Sequence, residues 1–325
     1  MMVYCPVRAL VSNMFEKILV PLDGSELAEV ALPYAEELMR RLHSGMLLLC
    51  VCNSDQRQEQ QEYLKGVVET VKQRGERNRQ RHLDAAVNEP VVEMVILEGS
   101  PPEEITDYVE ENQIDLTIMA THGRSGISRW AMGSVADKVI RGITRPACLI
   151  RARGSHAEVR PDCLVSRIFT PLDGSREGEA ALPYVEALAA KMNTEVVLFQ
   201  SVDKRDACSG EVNWMELRNE VERNAKVYLR KVEANLISKG IAVRTMVEFG
   251  GDPAKEITEL AARTRSAVVA MSTHGRSGVD RVVLGSVAEK VLRAGSIPIL
   301  LVRAPGAESV RQAYYGAHCV VNIST

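Results

Sequence analysis

The sequence predicts an α/β protein of two domains, each a five-stranded parallel sheet with helices on both faces, and three observations lead there. The chain has 325 residues, enough for two domains of roughly 100–200 residues each. It is also written twice. Residues 15–38 match 165–188 at 13 of 24 positions, and 121–152 match 273–304 at 18 of 32. A period near 150 residues is far too long for a solenoid repeat, so each copy should be a complete domain with its own sheet. Finally, short apolar runs alternate with helical periodicity along each copy, the pattern of parallel strands joined by right-handed helical crossovers.

In the first copy the strands fall at Lys17 to Leu22, Met46 to Cys52, Val91 to Leu97, Leu116 to Ala120 and Ala147 to Arg151. Between the first two, a helix from Ser25 carries Leu27, Val30, Ala31, Tyr34 and Leu38 at helical spacing. A long charged helix runs from Gln58 to about Ala86, another from Glu103 to Glu111 after the turn Gly99-Ser100-Pro101-Pro102, and a last one from Ser134 to Gly142. The expected units are a disordered leader at 1–13, a first domain at 14–152, a linker at 153–163, a second domain at 164–304 and a tail at 305–325. The linker is polar and contains Gly154 and Pro161.

Composition excludes several classes. Apolar residues make up 46% and charged residues 26%, values of an ordinary globular chain rather than a disordered one. No apolar run approaches the ~20 residues that a spanning helix needs, so no membrane partner is expected. With 40 basic and 43 acidic residues the net charge is −3, which gives no basic footprint for nucleic acid. Seven scattered cysteines without C-x-x-C spacing suit a reducing, cytoplasmic setting, and Cys50 and Cys52 read as small buried hydrophobes.

Ligands of open α/β sheets bind beyond the carboxyl ends of the strands, where the strand order reverses. Two loops of each copy belong there. One reads Pro21-Leu22-Asp23-Gly24-Ser25, repeated as Pro171-Leu172-Asp173-Gly174-Ser175. Its aspartate either accepts hydrogen bonds from a nucleoside or, with Ser25, caps the following helix. The other runs from Met119 through Thr121-His122-Gly123-Arg124-Ser125-Gly126 to Gly133-Ser134-Val135, with its copy from Met271 to Val287. Glycines let backbone approach a bulky anion, and the free amides of a helix start attract phosphate oxygens. Arg124 and Arg129 add positive charge, while Ser134 either donates to a phosphate or caps the helix. His122 and His274 read as packed or hydrogen-bonded side chains rather than catalysts.

These residues resemble the universal stress protein family, over roughly 15–152 and 165–304. ATP-binding members carry G-x-x-G-x(9)-G-[S/T]. This chain has Ala120-x-x-Gly123-x(9)-Gly133-Ser134 and Ser272-x-x-Gly275-x(9)-Gly285-Ser286, with the first glycine replaced both times. Alanine and serine are the smallest replacements available for glycine, and they fit wherever that position has a negative φ. The resemblance implies a Rossmann-like fold of the adenine nucleotide alpha hydrolase type in each domain, and ATP, with or without Mg2+, as ligand. It places Pro21, Asp23 and Val51 near the adenosine, and Met119, Ala120, Gly123, Gly133, Ser134 and Val135 around ribose and phosphates. In the second copy the corresponding residues are Pro171, Asp173, Ser201, Met271, Ser272, Gly275, Gly285, Ser286 and Val287. It also implies that the last strands of the two copies, Ala147–Arg151 and Pro298–Arg303, pair within the chain, beside homodimerisation and an unidentified protein partner.

No Walker lysine, metal-holding acid pair or nucleophile elbow is present. The expectation is therefore ATP as a regulatory ligand in stress adaptation, with at most slow hydrolysis, no catalytic residues and no protein metal site. Its rivals are an ATP-hydrolysing or adenylyl-transferring enzyme of related fold and a nucleotide-free interaction module.

Overall fold

The computed structural model describes residues 14–82, 91–122, 132–151, 165–203, 214–263, 267–274, 284–294 and 297–304. The expected leader and tail, the linker 153–163, and the glycines Gly123 and Gly275 with Arg124 and Arg129 lie outside the described residues.

The first half runs β1 (Lys17–Leu22), α1 (Glu26–Glu29), α2 (Leu32–Leu42), β2 (Gly45–Cys52), α3 (Arg57–His82), β3 (Val92–Glu98), α4 (Pro101–Glu111), β4 (Leu116–Ala120), α5 (Ser134–Gly142) and β5 (Ala147–Ile150). The second half repeats it: β6 (Arg167–Pro171), a 3-10 turn (Gly178–Ala181), α6 (Leu182–Met192), β7 (Glu195–Asp203), α7 (Trp214–Ile237), β8 (Val243–Gly250), α8 (Pro253–Arg263), β9 (Ala267–Ser272), α9 (Ser286–Ala294) and β10 (Ile299–Val302).

Three expected helices change their bounds, and β2, β3 and β5 shift by one residue at one or both ends. The helix expected to run on from Ser25 is broken after Glu29, and a new helix starts at Leu32 with Pro33 in its first turn. A proline there has no amide to offer the preceding turn, so it serves a helix start better than a helix interior. The helix expected from Glu103 begins two residues earlier, because Pro101 and Pro102 occupy first-turn positions whose amides need no partner. The long charged helix starts at Arg57, and its stretch beyond His82 falls outside the described residues.

All ten strands join one sheet in the order β3-β2-β1-β4-β5-β10-β9-β6-β7-β8. Pairing is parallel within each half and antiparallel where the halves meet, with Ile299 opposite Leu149, Leu300 opposite Cys148 and Leu301 opposite Ala147. Each half thus uses its partner to cover what would otherwise be an open edge of apolar strand.

Both faces of the central strands are buried, so these strands read as nearly continuous apolar runs, whereas the outer strands β3 and β8 are only partly buried. Ile18, Val20, Leu48 and Cys50 pack with α2, α3, α6 and α7, and Leu19, Leu49 and Met119 pack on the other face with α4, α5, α8 and α9. Both cores cross the junction of the halves. Cys50 and Cys52 are buried, and the Cys50 thiol donates to Gln60 Oε1 at 3.3 Å.

A second junction lies between α2 and α6. The Arg41 guanidinium donates to Glu37 Oε1 (3.0 Å), Val165 O (2.7 Å), Met192 O (2.5 Å) and Thr194 Oγ1 (3.0 Å). Glu37 also accepts Val165 N at 3.2 Å. On the opposite side Lys191 Nζ donates to Met14 O at 2.7 Å, beside an edge-to-face contact of Phe15 with Tyr184.

Candidate functional site

The strand order reverses between β1 and β4 in the first half and between β6 and β9 in the second. The loops that follow these strands therefore diverge and leave a crevice at the carboxyl edge. Register fixes what stands beside it. Leu22 pairs with Cys50, so Asp23 stands level with Val51. Leu19 pairs with Thr117, which brings Leu22 level with Ala120 and Asp23 level with Thr121. In the second half Pro171 pairs with Phe199 and Phe169 with Val269, so Asp173, Ser201 and Thr273 share one level.

The first loop answers the question of the cap. Ser25 is the N-cap of α1, and Ala28 N donates to its Oγ at 3.2 Å. Asp23 instead holds that serine, its Oδ1 accepting Ser25 N at 3.0 Å and Ser25 Oγ at 2.6 Å. The turn needs Gly24, which sits at φ 81°. Asp173 repeats the arrangement with Ser175 at 2.9 and 2.6 Å, and Gly174 has the same φ of 81°. The copies differ one turn later. Where the first has Ala28, the second has Gly178, and a Cβ there would lie 2.4 Å from Asp173 Oδ1. The second aspartate is packed more tightly against its helix start.

The second loop is closed on itself by backbone. Gly133 N donates to Thr121 O at 2.7 Å, and Gly285 N to Thr273 O at 2.8 Å. A Cβ on Gly133 would stand 3.0 Å from Thr121 O, and one on Gly285 2.8 Å from Thr273 O, so these positions hold glycine for close approach. Gly133 is the N-cap of α5 and supplies no side-chain acceptor, so Ser134, as the first helical residue, does not cap. The first-turn amides of α5 lack the side-chain acceptor that a serine or aspartate cap would bring.

Ala120 and Ser272 end extended strands, so the missing first glycine of each motif leaves no strain. Ser272 Oγ accepts His274 N at 3.3 Å. Each histidine is tied through Nδ1 to the preceding threonine hydroxyl, at 2.9 Å for Thr121 and His122 and 3.0 Å for Thr273 and His274.

The structure brings Pro21, Asp23, Val51, Met119, Ala120, Gly133, Ser134 and Val135 to one sheet edge, and Pro171, Asp173, Ser201, Met271, Ser272, Gly285, Ser286 and Val287 to the other. Val51 and Val135 pack on the apolar cluster that contains Met119, giving the first crevice an apolar floor. In the second, the Ser201 hydroxyl and His274 Nε2 are buried without a hydrogen-bond partner among the described residues. Arg151 and Arg303, the residues just beyond β5 and β10, also reach this region and carried no motif. Their signal was identity at the same place in the two copies.

The universal stress protein family model matches residues 14–151 and again 165–303. A universal stress protein of Methanocaldococcus jannaschii is 30% identical over 148 residues, covering 45% of this chain and 86% of that one. A universal stress protein structure from Archaeoglobus fulgidus superposes with a TM-score of 0.62 at 20% identity, covering 90% of this chain and 99% of that one. A Pseudomonas aeruginosa protein described as functionally unknown superposes with a TM-score of 0.63 at 16% identity, covering 91% and 94%. At such identities the two superpositions speak for the fold.

Proposed function

Because this chain belongs to the universal stress protein family and carries its domain twice, we propose that each half binds one adenine nucleotide, ATP, as a regulatory ligand in stress adaptation. The observation that carries the reading is the repeated glycine seal. Gly133 and Gly285 each donate to a threonine carbonyl that would crowd a Cβ, at 3.0 and 2.8 Å, and each threonine stands level with an aspartate. That cradle fits a phosphate group, because a compact anion is held best by amides that no side chain screens.

Asp23 and Val51 would hold the adenosine of the first nucleotide, with Met119, Ala120, Gly123, Gly133, Ser134 and Val135 around its ribose and phosphates. Asp173, Ser201, Met271, Ser272, Gly275, Gly285, Ser286 and Val287 would do so for the second. The hydroxyl of Ser201 replaces a methyl group of Val51, so the second pocket is the more polar and the two affinities differ. The units carrying the sites are 14–152 and 164–304, joined by 153–163.

The ligand is a regulator rather than fuel. Phosphoryl transfer needs an oriented nucleophile and charge neutralisation at the leaving group. The described loops offer amides, hydroxyls and one histidine each, groups suited to holding the ground state. A cytoplasmic setting agrees with the buried thiols of Cys50, Cys52 and Cys148, which form no disulfide among the described residues. Calorimetric titration of the whole chain with ATP tests the proposal, together with mass spectrometry of whatever is released when the purified protein is denatured. Two bound adenine nucleotides per chain are expected, and neither heat nor released nucleotide would overturn the reading.

A further inference from the structure

Arg151 and Arg303 make the same contact in opposite directions across the junction of the halves. Arg151, next after β5 of the first half, donates to Arg293 O near the end of α9 at 2.5 Å. Arg303, next after β10 of the second half, donates to Arg141 O at 3.1 Å and Ile143 O at 3.3 Å, at the end of α5. The last carbonyls of a helix lack partners within it and form the negative end of its dipole, so a guanidinium there both satisfies acceptors and places charge favourably. The helices so held are the two that begin at Gly133 and Gly285.

The residue before each arginine, the last of its own strand, leads back to a glycine seal. Ile150 O accepts Thr121 N at 2.8 Å, and Thr121 O accepts Gly133 N. Val302 O accepts Thr273 N at 2.8 Å, and Thr273 O accepts Gly285 N. Followed in order, α5 is held at its end by Arg303, which is anchored by β10 to the seal that starts α9. The end of α9 is held in turn by Arg151, anchored by β5 to the seal that starts α5. The contacts close into a ring with the approximate twofold symmetry of the repeat.

Each helix has only nine residues, so about 13 Å separates the clasped end from the amides at the other. A rigid rod of that length pivots as a unit. We infer that Arg151 and Arg303 are positioning residues that each set the phosphate-binding helix of the opposite half, and so couple the two nucleotide sites. The inference rests on the nucleotide reading above. Coupling of this kind is reciprocal, so occupancy of either site must change the affinity of the other by one common factor.

The test separates the halves. In a Gly285→Asp chain only the first site remains, and adding Arg303→Met should weaken its ATP binding about threefold, the scale expected of a charge at a helix end. Adding Arg151→Met to a Gly133→Asp chain should do the same to the second site. In the intact chain, replacing both arginines by methionine should turn two unequal, interdependent binding steps into independent ones. Hydrogen exchange on nucleotide-free protein supplies an arm that needs no ligand. Arg303→Met should speed exchange in 134–142 and spare 286–294, and Arg151→Met should do the reverse. Unchanged affinity at the opposite site in a chain that binds ATP overturns the inference, as does a change confined to the arginine's own half. If the unaltered chain binds no nucleotide, the functional reading fails, and the exchange pattern alone decides whether the arginines set the opposite helices.

Discussion

Replacing Gly133 or Gly285 by alanine sets two effects against each other. Alanine reduces the freedom of the unfolded chain, which favours the fold by about 0.4–1 kcal/mol where its Cβ is accommodated. Here the Cβ meets a backbone oxygen at 3.0 Å for Gly133 and 2.8 Å for Gly285. That oxygen cannot swing aside, because Thr121 N and Thr273 N are themselves bonded to Ile150 O and Val302 O. Relief must come from stretching the bond that Gly133 N or Gly285 N donates, at about 1 kcal/mol for the bond lost. The terms nearly cancel for Gly133→Ala, giving a loss of about 0–1 kcal/mol, and the closer contact makes Gly285→Ala the costlier at about 1–2 kcal/mol. The control is Gly66→Ala on α3, where nothing stands within 4 Å of the added Cβ. It should gain about 0.5–1 kcal/mol. Urea denaturation of the three variants gives the ranking, and ATP titration should show the two seal variants weakened at their own sites. If all three variants gained stability equally, the close approach of backbone at the seals would be refuted.

Arg41→Met would leave Glu37, whose side chain is 5% exposed, without its guanidinium and should cost about 3 kcal/mol in urea denaturation. An unchanged midpoint would show that the α2 and α6 junction does not depend on it. Burial pushes the Cys148 thiol from 9.0 up to about 12 and raises Tyr34 and Tyr184 as well. The folded state then holds protons that the unfolded state releases, so stability should fall as pH rises from 9.0 towards 12. Replacing Cys148 by alanine should flatten that limb, and thermal melts against pH would reveal it. Steady-state ADP release should stay far below about one per second. Faster release abolished by His122→Ala with His274→Ala would move the protein to the enzymes.

The fold was legible because the duplication shows when the chain is laid against itself, and short apolar runs and helical spacing are local properties. Boundaries were less so. Pro33 and the Pro101-Pro102 pair decide where helices begin, and the same residues also suit turns. At the candidate site the sequence left Asp23 and Ser134 each with two roles, because capping depends on a few tenths of an ångström at a helix start. The structure gives the cap to Ser25 and to Gly133. Arg41 left no trace in the sequence, since its partners Val165, Met192 and Thr194 lie in the other half and its counterpart in the repeat is Lys191. Arg151 and Arg303 did leave one, as identical residues at matched positions. Nothing local says that each arginine serves the other half.

ATP titration of the whole chain, followed by Gly133→Asp, bears on the nucleotide reading without an intermediary. The carboxylate would stand at the amides of α5 where phosphate oxygens are proposed to sit, and repulsion there is worth several kcal/mol, about 4 at close range near a protein surface. The expected result is two adenine nucleotides per chain, falling to one in the variant, with circular dichroism unchanged. Absence of binding at millimolar ATP, or two sites retained in a folded Gly133→Asp chain, would contradict it.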